Sequence, residues 1–168
     1  TSFFPDKEKG IALLNEVAEE LEALAAKGES PGTKDAPRIL VTGVPVGMGS
    51  HKVIQLLDEC CASVVCIDNC IGYKKTRDNI NPGPGDSLDA MLAALAKRYL
   101  DIPCSIMSPN PIRYEVLARL AKEFSVDAVV DLTWQGCHTV NVEAYSGKKL
   151  VTEELGLPGL HLETDHSA

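Results

Sequence analysis

A chain of 168 residues, 45% apolar, 24% charged and 5% aromatic, is long enough for one well-packed core and has neither a disordered nor a fibrous composition. Its formal net charge of −8 argues against a broad phosphate-neutralising surface, so no nucleic-acid partner is expected. No apolar run is long enough to span a bilayer and no apolar leader opens the chain, so a cytoplasmic protein without membrane contact is expected, its six cysteines reduced rather than paired.

In chain order, Ile11, Leu14, Val17, Ala18, Leu21, Leu24 and Ala25 recur at helical steps and predict a helix over residues 7–27, ended by Gly28 and a Pro- and Gly-bearing linker to Pro37. Residues 38–42 read as a short buried strand, 43–50 as a Gly-rich loop, 51–61 as a helix and 63–68 as a second buried strand. A long loop over 69–85 comes next. It holds the basic strip Lys74-Lys75-Thr76-Arg77, which reads as a solvated loop in preference to a binding patch. Asp86 or Ser87 is the expected N-cap of a helix carrying Leu88, Met91, Leu92, Leu95 and Tyr99. Residues 102–107 are ambiguous. Pro109 and Pro111 open a helix with Leu117, Leu120, Ala121 and Phe124 on one face; 126–133 is a third strand, 141–155 a helix closed by Gly156, and 159–163 a fourth strand.

Strands alternating with helices predict an α/β domain: a four-stranded parallel, flavodoxin-like sheet with helices on both faces. The expected organisation is an N-terminal helix and linker over 1–37 and the sheet domain over 38–168. Ligands of such sheets sit beyond the carboxyl ends of the strands. Cys70 lies just past the second strand and Cys137 just past the third, while Cys104 opens a loop before a helix; the gaps of 34 and 33 residues are crossover lengths, so the thiols are expected on one edge. Three loop thiolates suit an iron–sulfur cluster. No C-x₂-C pair is present, so spacing alone leaves two readings open, a metal site or buried structural thiols, with the second the default. Cys60, Cys61 and Cys66 read as core residues.

Three segments carry a resemblance: Val64-Val65-Cys66-Ile67-Asp68-Asn69-Cys70-Ile71-Gly72-Tyr73-Lys74, Arg98-Tyr99-Leu100-Asp101-Ile102-Pro103-Cys104, and Thr133-Trp134-Gln135-Gly136-Cys137-His138. With the closing stretch from Gly156 to Ser167, residues 38 onward resemble the C-terminal domain of the 2-hydroxyacyl-CoA dehydratase and benzoyl-CoA reductase family. The resemblance implies an oxygen-sensitive cytoplasmic protein of anaerobic metabolism and two similar domains per polypeptide. It also implies electron delivery by an ATP-hydrolysing iron–sulfur activator, and, in the dehydratases, a CoA-thioester substrate. Cysteine at 70, 104 and 137 together looks like the double-cubane branch, in which a double-cubane [8Fe–9S] cluster is shared between domains; Cys137 alone fits a [4Fe–4S] dehydratase subunit. A preceding homologous domain and, in some members, a second subunit are implied partners. The chain, which opens on Thr1, is expected to be a fragment that is inactive alone.

Other candidates are weaker. The stretch Gly43-Val44-Pro45-Val46-Gly47-Met48-Gly49-Ser50-His51-Lys52 fits neither nucleotide-loop pattern and reads as a turn near the cluster. His138 is a candidate proton donor beside Cys137, or a helix-opening residue without chemistry. His161 reads as a satisfied core histidine; Glu163, Asp165 and His166 are placed to line the crevice, and Trp134 and Gln135 either shield the cluster from water or simply pack. The alternative to the whole reading is a cluster-free α/β binding or assembly domain.

Overall fold

The computed structural model describes residues 5–167 apart from 31, 48, 82, 84 and 86. The chain falls into two compact units, 1–35 and 36–168. In the first, helix α1 (Lys7–Ala26) starts where the Asp6 carboxylate accepts from the Lys9 N–H at 3.1 Å. It ends at Gly28, whose φ of 73° is the left-handed turn that closes helices.

The second unit holds β1 (Arg38–Gly43), α2 (Lys52–Glu59), β2 (Ser63–Asp68), α3 (Tyr73–Thr76), α4 (Leu88–Leu100), α5 (Pro111–Glu123), β3 (Ala128–Trp134), α6 (His138–Lys149) and β4 (Gly159–Thr164). The strands form one parallel sheet in the order β2-β1-β3-β4, the expected flavodoxin-like arrangement. Chain direction across the sheet reverses beside β1, which opens a crevice beyond the strand ends.

Alternation along the strands sorts the core into two faces. Ile39, Val41, Val130 and Leu132 meet Val53 of α2 and Val140 of α6. On the opposite face Leu40, Cys66 and Val129 meet Val116, Leu117, Leu120 and Ala121 of α5 and Val151. A bulge in the β1–β2 pairing skips one residue after Ile39, so Leu40 lies opposite Cys66 and Thr42 opposite Asp68.

Local details depart from the sequence reading. The loop after β2 contains the short helix α3. Ser87 caps α4, its side chain accepting from the Ala90 N–H at 3.2 Å; the Asp86 alternative lies outside the described residues. Residues 102–107 are a run of turns, and α5 begins at Pro111. Helix α6 begins at His138, three residues before the expected start, and the chain continues from it through Leu150–Glu154 as a wider π-helical turn. Cys60 and Cys61 are exposed rather than core, because they close α2, with Cys61 turned to φ 58°. Cys66 is buried as expected; burial, then Asp68 and Glu123, pushes its thiol up to about 11.

Candidate functional site

The site is built from the loops beyond the carboxyl ends of β2 and β3. After β2, the fully buried Asn69 folds the chain back: its side-chain oxygen accepts from the N–H of Ile71 at 3.1 Å and of Gly72 at 2.8 Å, and its amide donates to the Val44 carbonyl. Cys70 is the exposed tip of this turn. A side chain on Gly72 would begin 2.2 Å from the Ile67 carbonyl oxygen, so only glycine lets the turn close. Helix α3 is then held from α4, where the buried Arg98 donates to the carbonyls of Lys74, Lys75 and Asp78 at 3.0–3.3 Å.

After β3, Gly136 turns through φ 81° and Cys137, half-buried, takes the N-cap position of α6. His138 is the first, exposed helical residue. Cys104 is half-buried in the turns ahead of α5, and its carbonyl accepts from the Met107 N–H at 3.0 Å and the Asn110 amide at 2.8 Å. Two contacts dock this loop on the start of α6: Ser105 to Thr139 at 3.4 Å, and Asn110 to Glu143 at 2.9 Å. All three thiols therefore stand at the carboxyl edge of the sheet. They are not gathered into a cage, since no three His, Cys, Asp or Glu side chains assemble as a metal site among the described residues.

Beneath that edge lies an ionic layer that the sequence reading missed. Register aligns Asp68, Thr42, Asp131 and His161 in one row across all four strands. Asp68 is fully buried, and Lys74 and Arg113 are 3% and 2% exposed. Arg113 pairs with Glu143 at 2.6 Å and approaches Asp131 at 3.8 Å. Burial raises the Asp131 carboxyl, opposed by Arg113, His161 and Lys74. Burial lowers the Lys74 ammonium, which Asp68, Cys70 and Glu143 partly restore and Arg113 lowers further. One oxygen each of Asp68 and Asp131 finds no donor among the described residues. The signal in the sequence was an aspartate closing or interrupting an otherwise apolar strand.

The weaker candidates are also placed. His161 is half-buried and bonds Thr133 through Nε2 at 3.1 Å, as a satisfied histidine should. Glu163 accepts from Asn141 at 3.1 Å and, with Gln135, Thr164 and Asp165, lines an open crevice. The Ser167 hydroxyl and then Lys52 hold the Asp165 carboxyl down at about 2. His166 stands edge-on to Trp134, ring centres 4.4 Å apart. The loop after β1 is pinned beneath this C-terminal segment: a side chain on Gly49 would begin 2.4 Å from the His166 carbonyl oxygen.

A doubly wound parallel domain with thiols at its carboxyl edge is the class that fold and site define. The match to known proteins makes this specific. Residues 1–168 match the family described as 2-hydroxyglutaryl-CoA dehydratase, D-component, and the chain belongs to that family. It is 38% identical over 167 residues to the Escherichia coli (strain K12) protein named "Putative dehydratase subunit YjiM", an alignment covering 96% of this chain. The chain spans 40% of the length of that relative. Among the described residues no helix is long and apolar enough to cross a membrane.

Proposed function

We propose that this chain is the iron–sulfur-cluster-binding domain of a low-potential reductase or 2-hydroxyacyl-CoA dehydratase, with Cys70, Cys104 and Cys137 as cluster ligands. The observation that carries the reading is the presence of three accessible or half-accessible thiols on the carboxyl edge of a doubly wound sheet, where such folds bind their ligands. The donor chemistry fits, because cluster iron is held by cysteine sulfur. So does an orphaned donor: the indole N–H of Trp134, three residues before Cys137, is buried without an acceptor among the described residues, and cluster sulfurs accept such bonds. When bound, the cluster supplies low-potential one-electron chemistry, either as [4Fe–4S] or as half of a double-cubane [8Fe–9S].

The chain's own residues do the rest. The Asn69 turn presents Cys70 outward, and Gly136 and the first turn of α6 present Cys137. The Trp134–His166 ring pair, three residues ahead of Cys137 at its Trp134 end, is placed to shield a cluster from water. His138, exposed next to it, is placed to hold or move a proton at its imidazole. Because the thiols do not close a cage by themselves, the remaining ligands come from a preceding homologous domain or a second subunit. The electron comes from an ATP-hydrolysing activator, and the substrate is a small molecule or, for a dehydratase, a CoA thioester. Iron and sulfide analysis with EPR on the anaerobically purified polypeptide tests this: one cluster signal per site supports it, and a colourless, iron-free protein refutes it.

One observation favours a second reading, a cluster-free binding or assembly domain: the absence of a closed metal group among the described residues. That reading requires Cys70, Cys104 and Cys137 to be replaceable by serine without loss of any chromophore.

A further inference from the structure

Asn110 occupies the N-cap of α5, a position where asparagine normally accepts from the first backbone N–H groups of its helix. Here it makes no capping bond. Its amide instead donates to the Cys104 carbonyl at 2.8 Å and to Glu143 at 2.9 Å. Glu143 lies on α6, six residues after Cys137, and its second oxygen takes the Arg113 guanidinium at 2.6 Å. Arg113 in turn reaches Asp131 on β3. The Cys104 main chain is thus tied through one side chain to the helix that carries Cys137, and through a second to the floor of the sheet. A helix that forgoes its cap, and a buried pair whose charges must both be desolvated, are costs that stability alone does not call for.

We infer that Glu143 and Asn110 are positioning residues that set the Cys104 thiol at a fixed separation from Cys137, so that one rigid ligand can bridge both. The inference rests on the reading that the two thiols serve one cluster, but its geometry is testable without iron. In the full 168-residue chain, Cys104 and Cys137 are kept as the only thiols by replacing Cys60, Cys61 and Cys70 with Ser and Cys66 with Ala. The rate at which dibromobimane bridges the two thiols is measured relative to single alkylation by monobromobimane.

Asn110→Ala and Glu143→Ala are expected to lower that ratio about tenfold or more, as loss of orientation does to an effectively intramolecular reaction. Glu143→Gln keeps one acceptor oxygen for two donors, Asn110 and Arg113, and should fall between the parent and Glu143→Ala. If Glu143→Ala does not fold because Arg113 is left unpaired, Asn110→Ala decides, since it leaves that ion pair intact. A folded Asn110→Ala whose ratio stays within about twofold of the parent overturns the inference, and so does a parent that never bridges. Iron uptake by the native cysteine set, measured alongside in a polypeptide that also carries the preceding homologous domain, separates the two claims. A fall in bridging, with no iron taken up even when the preceding homologous domain is present, upholds the clamp and removes the cluster reading. Unchanged bridging with normal uptake removes the clamp and leaves the cluster reading standing.

Discussion

Two adjacent rows on the same face of the sheet differ completely in chemistry. The lower row, Cys66–Leu40–Val129–Gly159, is apolar and packs under α5. The next row up, Asp68–Thr42–Asp131–His161, is polar or ionic and meets Lys74, Arg113 and Glu143. Both are largely buried, so solvent access does not explain the change. The lower row stabilises the fold by removing apolar surface from water, whereas the upper row loses hydration and regains it only through partners. The upper row sits directly below the thiol loops. It meets Lys74 of α3, the helix that follows Cys70, and, through Arg113, Glu143 of α6, the helix that follows Cys137.

That contrast can be broken from either row. The largest expected effect is at the upper one: Arg113→Ala leaves Glu143 and Asp131 buried without their cation and should cost about 3–5 kcal/mol in urea unfolding. Removing both charges, in Arg113→Met with Glu143→Leu, should cost at least about 1 kcal/mol less than the sum of the single changes, because each single change strands the other charge. In the lower row Leu40→Ala, at a fully buried position, should cost about 3 kcal/mol through the cavity it leaves.

A subtler difference lies in the pH dependence. The folded Asp131 carboxyl is raised above its ordinary 3.8, so its ionisation disfavours the folded state. Below the ordinary value both states are protonated and there is no cost. The cost develops as pH climbs through the window between the ordinary and the raised value, and then stays constant. The stability of the parent relative to Asp131→Asn should therefore decline with rising pH across that window; a difference that grows in the parent's favour contradicts the assignment. The smallest effect is at a helix end remote from both rows: Ser87→Ala, which removes a working cap from α4, should cost about 1 kcal/mol by the same urea measurement.

The buried strands and the parallel flavodoxin-like sheet were legible in the sequence because short apolar runs and strand–helix alternation carry them. Cys70 and Cys137 were legible because each follows a strand, and Cys104 because crossover-length gaps separate it from both. The ionic platform was not, since its members come from β2, α3, α5, β3 and α6, and a lysine in Lys74-Lys75-Thr76-Arg77 looks solvated until the fold buries it. The early start of α6 was hidden because Cys137, His138 and Thr139 carry no helical periodicity, while the docking of Ser105 on Thr139 favours it. The adjacent Cys60 and Cys61 misled in the other direction: thiols are usually buried, but these fall where α2 ends and the chain reverses.

That the edge thiols, and not the buried one, hold a cluster is tested most directly by anaerobic reconstitution, with iron and sulfide, of the polypeptide that joins this chain to the preceding homologous domain, comparing Cys137→Ser with Cys66→Ser. Cys137→Ser is expected to lose the cluster's iron, sulfide and EPR signal while Cys66→Ser retains all three. Stoichiometric cluster uptake that survives Cys137→Ser would contradict the assignment.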